Sequence, residues 1–463
     1  VYKKIREFLT SKNWNDASKA VVIVFIIIAF FSLVAVNFVE PGWVIGIDLS
    51  ILVLILFLRF PVWGFYLMVA TFPFVGWQVQ VSSLSVPVVD VLALFLLAAV
   101  ALRYVVHLPL TKNEFSLKNF PGLFFALIFF VACGFSIYYN QNNELVWVAI
   151  KYLLRPIIFF YLMFVVLPTH IIRDKKTFLR VVKIMVAVGV FSGFLGLLSV
   201  VLSSGPWYSH RAVPFLLGNL NLLGGNQNAI AEVLTVTIPL ALLLMYESLK
   251  IKERGWYVLA MVFMSLILLL TFSRAGWLAF LIELLILFFV YYKHKINRFA
   301  LTAIILSAIF VPLIFYFGVW NQIDWVQSSN SSRIAMLQVA WSSFNDSPWL
   351  GQGLNSFQSL MANTFIYTVD FGDPLDSHGF VQKVATEAGL AGLIGFVSLL
   401  GYLFYKYVKT YVQAVSAQAK TVVLCLILMF CGIVFFELFS TSYYIATMWL
   451  PIGVGVAGLR FYS

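Results

Sequence analysis

Long apolar runs separated by short polar links fill this chain from about residue 20 to its end. About 20 mainly apolar residues cross a bilayer core of about 30 Å as a helix. Fourteen stretches approach that length, near 20–38, 43–58, 61–77, 86–106, 121–139, 147–167, 179–203, 227–247, 255–272, 275–292, 299–318, 390–409, 421–438 and 443–460. The second and third are short, so one of them is a candidate re-entrant piece. The pattern predicts an all-α fold, a polytopic transmembrane helical bundle of about 12–14 spans with one large, partly helical outer loop.

That loop covers residues 319–389 and is far longer than the usual connection. It is rich in Ser, Asn, Asp, Gln and Gly, with Trp and Phe interleaved. Ile334, Leu337, Trp341 and Phe344 repeat at helical spacing, which predicts an amphipathic helix lying on the membrane or on the bundle. Ser347-Pro348 and Gly351-Gln352-Gly353 read as turns. A second helix is expected over about 355–365, and 377–388 should lead a helix into the next span. The chain then divides into N-terminal membrane helices (1–204), central helices with candidate donor-binding motifs (205–318), the loop (319–389) and C-terminal helices (390–463).

Composition agrees: 62% of residues are hydrophobic and 11% charged, with a mean hydropathy of +0.97. The charges add direction. Of the 30 Lys and Arg residues, 24 fall in one alternating set of loops and ends. Cationic loops stay on the cytoplasmic side during insertion. Lys3, Lys4, Arg6, Lys12 and Lys19 therefore put the N-terminus inside, and an even span count puts the C-terminus there too. The first apolar run lacks a small-residue cleavage site and reads as a span rather than a cleaved leader. The net charge of +11 is thus membrane topology rather than a nucleic-acid patch, and the basic inner loops meet anionic lipid. Cys133, Cys425 and Cys431 all fall in spans, as packing residues rather than a disulfide or zinc framework. His107, His170 and His294 lie on inner loops and read as surface residues.

Six cations break the rule: Lys151, Arg155, Arg211, Arg274, Arg333 and Lys383 lie on or near the outer face. An anionic substrate is a reason to keep them there. Arg274, in Thr271-Phe272-Ser273-Arg274-Ala275-Gly276, sits in a short outer link where a helix begins. Helix N-termini attract anions, and a guanidinium adds a planar fork for phosphate oxygens. Arg211 lies in a Gly-rich outer segment, 204–226, and has the same two readings as Arg274: anion binding, or snorkelling to the interface. Lys151 and Arg155 share a helix face. They either reach a lipid-linked phosphate or pair with a carboxylate such as Asp90, Glu232 or Glu437. His378, the one His of the long loop, is able to take a proton from a hydroxyl, with Asp376 close enough in sequence to orient it. No outer cluster has metal-ligand spacing: Asp370 and Asp373 are a weak pair and the first outer loop offers Glu40 alone. Neither a metal nor another cofactor is expected.

Gly224-Gly225-Asn226-Gln227-Asn228-Ala229, Ser273-Arg274-Ala275-Gly276, Arg333 with Trp341, Ser347-Pro348-Trp349-Leu350-Gly351-Gln352-Gly353, Ser377-His378-Gly379-Phe380 and Glu387-Ala388-Gly389-Leu390-Ala391-Gly392 follow one another around the loop. In this order they resemble the O-antigen ligase/polymerase family of bacterial membrane glycosyltransferases, most strongly over about 205–400. Gly379 departs from the Asn that often follows the loop His in that family. The resemblance implies about twelve spans and a polyprenyl-diphosphate-linked glycan as donor, used outside the inner membrane. It implies that Arg274 and Arg211 bind the donor diphosphate, that His378 is the base on the acceptor hydroxyl, and that Arg333 holds the loop or a phosphate. Lys151 and Arg155 are further diphosphate candidates, and Asp376 and Glu387 are candidate supports.

The leading expectation is an inverting, metal-independent ligase that moves the glycan onto lipid A–core or another surface glycan. A polymerase of the same family would share the diphosphate-handling residues. A lipid-linked glycan flippase is the reading from another class; the outer-half clustering of the charges disfavours it.

Overall fold

The computed structural model describes residues 41–81, 84–105, 120–139, 146–204, 210–216, 218, 221–291, 324–440 and 443–462. The expected spans at 20–38 and 299–318, the N-terminal cations, Gly205-Pro206, His107 and His294 lie outside them.

The first described helices are α1 (Pro41–Arg59) and α2 (Pro61–Thr71). They are bent by 117° across their junction. Pro61 causes the bend. A residue before proline avoids the α region, and Phe60 sits at φ −126°, ψ 62°. Pro61 then starts α2, where its missing N–H costs nothing. At 11 residues α2 is about 16 Å long and too short to span. The third stretch, at 61–77, is therefore one arm of a broken pair rather than a full span, in line with the expectation of a re-entrant piece among the second and third stretches. Its chain continues into a hairpin of β1 (Gln78–Val81) and β2 (Leu84–Pro87).

The remaining apolar runs are helices. In chain order they are α3 (Val88–Val105), α4 (Leu123–Tyr139), α5 (Val146–Ile171), α6 (Lys175–Leu202), α7 (Gln227–Glu247), α8 (Ile251–Leu270) and α9 (Arg274–Tyr291). After the long loop come α13 (Phe380–Gln413), α14 (Ala417–Glu437) and α15 (Ala446–Leu459). Seven described helices (α3, α5, α6, α7, α8, α13 and α14) are long and apolar enough to cross a membrane. The hub is α7, whose residues from Ile230 to Ala241 are buried on every side. It packs against α6, α8 and α14, as an all-round apolar helix must. α5 carries π-helical turns around Pro156, whose ring and missing N–H break the α ladder. Near the C-terminal end of α5, His170 is 2% exposed, with Nδ1 2.9 Å from the Val166 carbonyl oxygen. It is a packed residue rather than the surface group expected, because the helix continues through Ile171. Cys133 and Cys425 are buried and Cys431 half-buried, all as free thiols.

The long loop folds as α10 (Asp324–Asp346), α11 (Phe357–Ala362) and α12 (Phe365–Phe371). The helix expected at 355–365 is thus two short ones. α10 buries Met336 and Ala340 against its neighbours and leaves Ile334, Leu337 and Trp341 exposed. The apolar stripe seen in the sequence is therefore its outward face.

Two of the turn motifs interlock. α13 is broken at Gly389 (φ 63°, ψ −163°), which frees backbone groups on either side. Gln352 and Gly353 donate to the Thr386 and Glu387 carbonyls at 2.8 and 3.1 Å, while Leu390 and Ala391 donate to Pro348 and Trp349 at 2.8 and 3.2 Å. The backbones meet so closely that a Cβ on Gly351 (φ +74°) or on Gly389 would lie 2.4 Å from the opposite strand of chain. Gly351→Ala and Gly389→Ala should each cost about 3 kcal/mol or more, from left-handed strain plus overpacking. Thermal unfolding in detergent checks this: both should melt well below the wild type.

Candidate functional site

Two helix N-termini, those of α7 and α9, meet at one end of the bundle. Asn226 caps α7: its Oδ1 accepts from the Asn228 N–H at 2.9 Å. Ser273 caps α9: its Oγ accepts from the Gly276 N–H at 3.2 Å and its carbonyl from Trp277 at 2.9 Å. The same Ser273 hydroxyl donates to Asn228 Oδ1 at 2.7 Å, so the caps are joined. Ahead of it, Phe272 holds φ +51°, a strained value for an aromatic residue that re-aims the chain into α9. Arg274 is then the first residue of α9, and its charge adds to two positive helix ends.

Arg274 Nη1 donates to Asn330 Oδ1 on α10. Arg333, half-buried, lies one turn further along the same helix. Arg211 reaches this end from the other side. Its neighbour Ala212 donates to the Leu270 carbonyl at 2.8 Å, four residues before Arg274. Ser199 fixes the same loop by donating to the Arg211 carbonyl at 3.2 Å and accepting from Val213 N–H at 2.9 Å. Burial lowers the Arg211 pKa from its ordinary value; a guanidinium starts so high that it stays charged.

His378 stands in the turn before α13. Ser377, 1% exposed, ties this turn by donating from Oγ to the Gly379 carbonyl at 2.9 Å. Gly379 lies against the Leu438 carbonyl, where a Cβ would approach to 2.5 Å. That contact explains why no Asn follows the histidine here. Burial, and after it the Arg333 guanidinium, push the imidazole down to about 4; Asp376 opposes and Arg274 adds to the shift. His378 is therefore neutral near pH 7 and has a free lone pair for a proton. A cavity of about 290 Å³ opens beside it, bounded by the α7 cap, the 375–378 turn and the link into α15.

Asp376 does not hydrogen-bond His378, as the sequence spacing had suggested. Its carboxylate accepts from Lys383 Nζ at 2.6 Å, from Tyr444 Oη at 3.3 Å and from the Ser377 N–H at 2.8 Å. It acts on the imidazole through charge alone. Lys383 is 2% exposed. Its ammonium also lies 3.7 Å from Glu387 and over the rings of Tyr444 and Tyr152, at 5.0 and 5.5 Å. This cation is held by the protein itself. The i, i+4 spacing of Lys383 and Glu387 was the readable signal for it. Glu387 supports the loop rather than the chemistry: its carboxylate accepts from the Phe357 N–H at 3.3 Å. Lys383→Met should cost about 3–5 kcal/mol, because the buried Glu387 and the half-buried Asp376 lose their counter-charge. Thermal unfolding of the variant measures that cost.

The other candidates stand apart. Arg155 pairs with Asp90 at 2.6 Å, which ties α5 to α3, and Lys151 is exposed. Neither lines the cavity.

Residues 259–397 match the family model described as O-antigen ligase. The match covers 139 of the 463 residues and is to the family that the sequence motifs resemble. No curated protein matches the chain. The matched stretch runs from α8 into α13 and contains Arg274, Arg333, Asp376, His378 and Glu387; Arg211 lies before it. With seven membrane-length helices, the O-antigen ligase domain describes a multi-pass membrane protein of glycan transfer.

Proposed function

We propose that this protein is a bacterial inner-membrane ligase that moves a glycan from a polyprenyl diphosphate to an acceptor hydroxyl. Both termini are cytoplasmic, the long loop is periplasmic, and the acceptor is lipid A–core or another surface glycan. The observation that carries the reading is one neutral histidine set in the field of Arg333 and Arg274, beside two joined helix N-termini.

The chemistry follows from those groups. Arg274 and Arg211, with Arg333 behind them, bind the diphosphate and stabilise the charge that builds on it as it leaves. The acceptor oxygen attacks the anomeric carbon from the opposite face, and the bond to the diphosphate oxygen breaks. The hydroxyl proton passes to His378. One displacement inverts the anomeric centre. The leaving group needs no protonation, so arginines suffice, and among the described residues no three His, Cys, Asp or Glu side chains gather to hold a metal ion.

A donor-bound diphosphate would also offset the two cations that weaken His378, so donor binding strengthens the base. The test is transfer by the purified protein from a polyprenyl-diphosphate oligosaccharide, with lipid A–core supplied or omitted. Product on lipid A–core, formed when that acceptor is present, is expected. Lengthened lipid-linked glycan without it would instead make the chain a polymerase with the same diphosphate-handling residues.

A further inference from the structure

Helix α10 leaves one apolar flank uncovered. Ile334, Leu337 and Trp341 are each more than half exposed, although Met336 and Ala340 on the same helix are buried. With Asn330 they fall at i, i+4, i+7 and i+11, so all four share one flank. Ser342, also exposed, lies on the next flank round the helix. Contiguous apolar surface of this kind marks an interaction site.

Two contacts show which way the flank points and how deep it lies. Asn330, its first member, accepts from Arg274, the residue that opens the apolar helix α9. The flank therefore faces the level at which α9 enters the apolar layer. Ten residues on, about 15 Å along the axis, the Ala340 carbonyl oxygen lies 3.5 Å from Thr386 Oγ1 on α13. From Leu390 to Tyr405, just before Lys406, α13 carries no charge. That stretch is about 24 Å long. A hydrocarbon layer of about 30 Å then reaches about one turn above Leu390, which is the level of Thr386. α10 is thus anchored where both α9 and α13 enter the layer, and it runs along the surface between them. Trp349 agrees. Its carbonyl accepts from the Ala391 N–H at 3.2 Å, which fixes it at the same depth, and it is 68% exposed. Tryptophan concentrates at that boundary. Just below it on α13, Ile394 and Val397 are exposed, as lipid-facing residues are.

The flank carries no cation. Of the two in the long loop, Arg333 is half-buried and Lys383 buried. Headgroup charge therefore gives this face no hold, and apolar insertion is the attraction left to it.

We propose that α10 is an interfacial helix: its Ile334, Leu337 and Trp341 flank inserts into the phospholipid leaflet on the side of the long loop, whatever the charge of that leaflet. The proposal stands independently of the transfer reading. Docking holds Arg333, and Arg274 through Asn330, at the depth of the lipid phosphates.

The experiment places the full chain in nanodiscs of phosphatidylcholine, with or without phosphatidylglycerol. Cys133, Cys425 and Cys431 are changed to alanine, and a nitroxide is attached through Leu337→Cys, Trp341→Cys or, as the polar control, Ser342→Cys. Collisions with oxygen, which concentrates in lipid, and with a water-soluble nickel chelate give the depth of each label. The labels at Leu337 and Trp341 should lie about 5–10 Å below the phosphates in both compositions, and the label at Ser342 in water. Nickel access at Leu337 and Trp341 equal to that at Ser342 would overturn the proposal. So would exclusion of both reagents together with spin–spin broadening that dilution with unlabelled protein removes, since a second copy would then cover the flank. The wild-type chain, in lipid that carries a diazirine near the headgroup, gives a reading free of substitutions. Lipid adducts on 334–341 are expected. Their absence, with adducts formed on 394–397, would overturn the proposal.

Discussion

Replacing Arg274 with alanine is expected to slow glycan transfer by about 10²–10³-fold while the protein stays folded in the membrane. Charge develops on the diphosphate as the glycosidic bond breaks, and Arg274 opens a helix whose amides and dipole already favour an anion there. The loss should fall mainly on kcat, because the interaction strengthens in the transition state. Arg274→Lys keeps the charge but not the fork and should retain an intermediate rate. Arg274 also donates to Asn330, so a structural effect through α10 has its own control. Asn330→Ala removes that contact and leaves the guanidinium, and should cost less than about tenfold. Initial rates of donor consumption measure all three. Near-normal activity of the alanine variant would remove Arg274 from the mechanism.

His378→Ala should cost about 10²–10⁴-fold, the usual worth of a positioned base. The pH dependence gives a sharper test. Burial and the charges of Arg333 and Arg274 disfavour the imidazolium, which pushes His378 from 6.5 down to about 4 in the free enzyme. The base form therefore persists as pH falls, and the acid limb of kcat/KM should appear near pH 4. A bound diphosphate offsets the cationic part of that shift, so the acid limb of kcat should lie higher, toward the ordinary imidazole value. Arg333→Ala should raise the free-enzyme limb, since it removes the largest charge acting on the ring. Coincident limbs for kcat and kcat/KM would contradict the coupling between donor and base.

The hydrophobic runs and the sidedness of the cations carried the all-α membrane fold. Periodicity could not separate a span from one arm of a broken pair. The bend at Phe60-Pro61 depends on the backbone conformation that Pro61 imposes on its neighbour. Of the candidate residues, the sequence put Arg274 where a helix begins and His378 in a structured loop, and both positions are found there, at the first residue of α9 and in the turn before α13. Lys383 was misread as a free outer cation, since burial between Asp376 and Glu387 arises when the turn before α13 folds back on its first two turns. Arg155 fell to its alternative reading, as a partner of Asp90. Tyr444 and Thr447 gave no sequence signal, and Glu232 was read as a candidate partner of Lys151 or Arg155 rather than as a cavity residue, because the cavity they share is made from α7 and the α14–α15 link, more than two hundred residues apart. The interlock of Gly351 with Gly389 was also invisible, although both motifs were seen, since spacing does not say that two turns share hydrogen bonds.

The most direct test of the account follows a donor of known anomeric configuration in proteoliposomes that contain the purified protein and an outer-facing acceptor. The account predicts that polyprenyl diphosphate is released one-for-one with a new glycoside of inverted configuration. Intact donor recovered on the opposite leaflet, or a product with retained configuration, would contradict it.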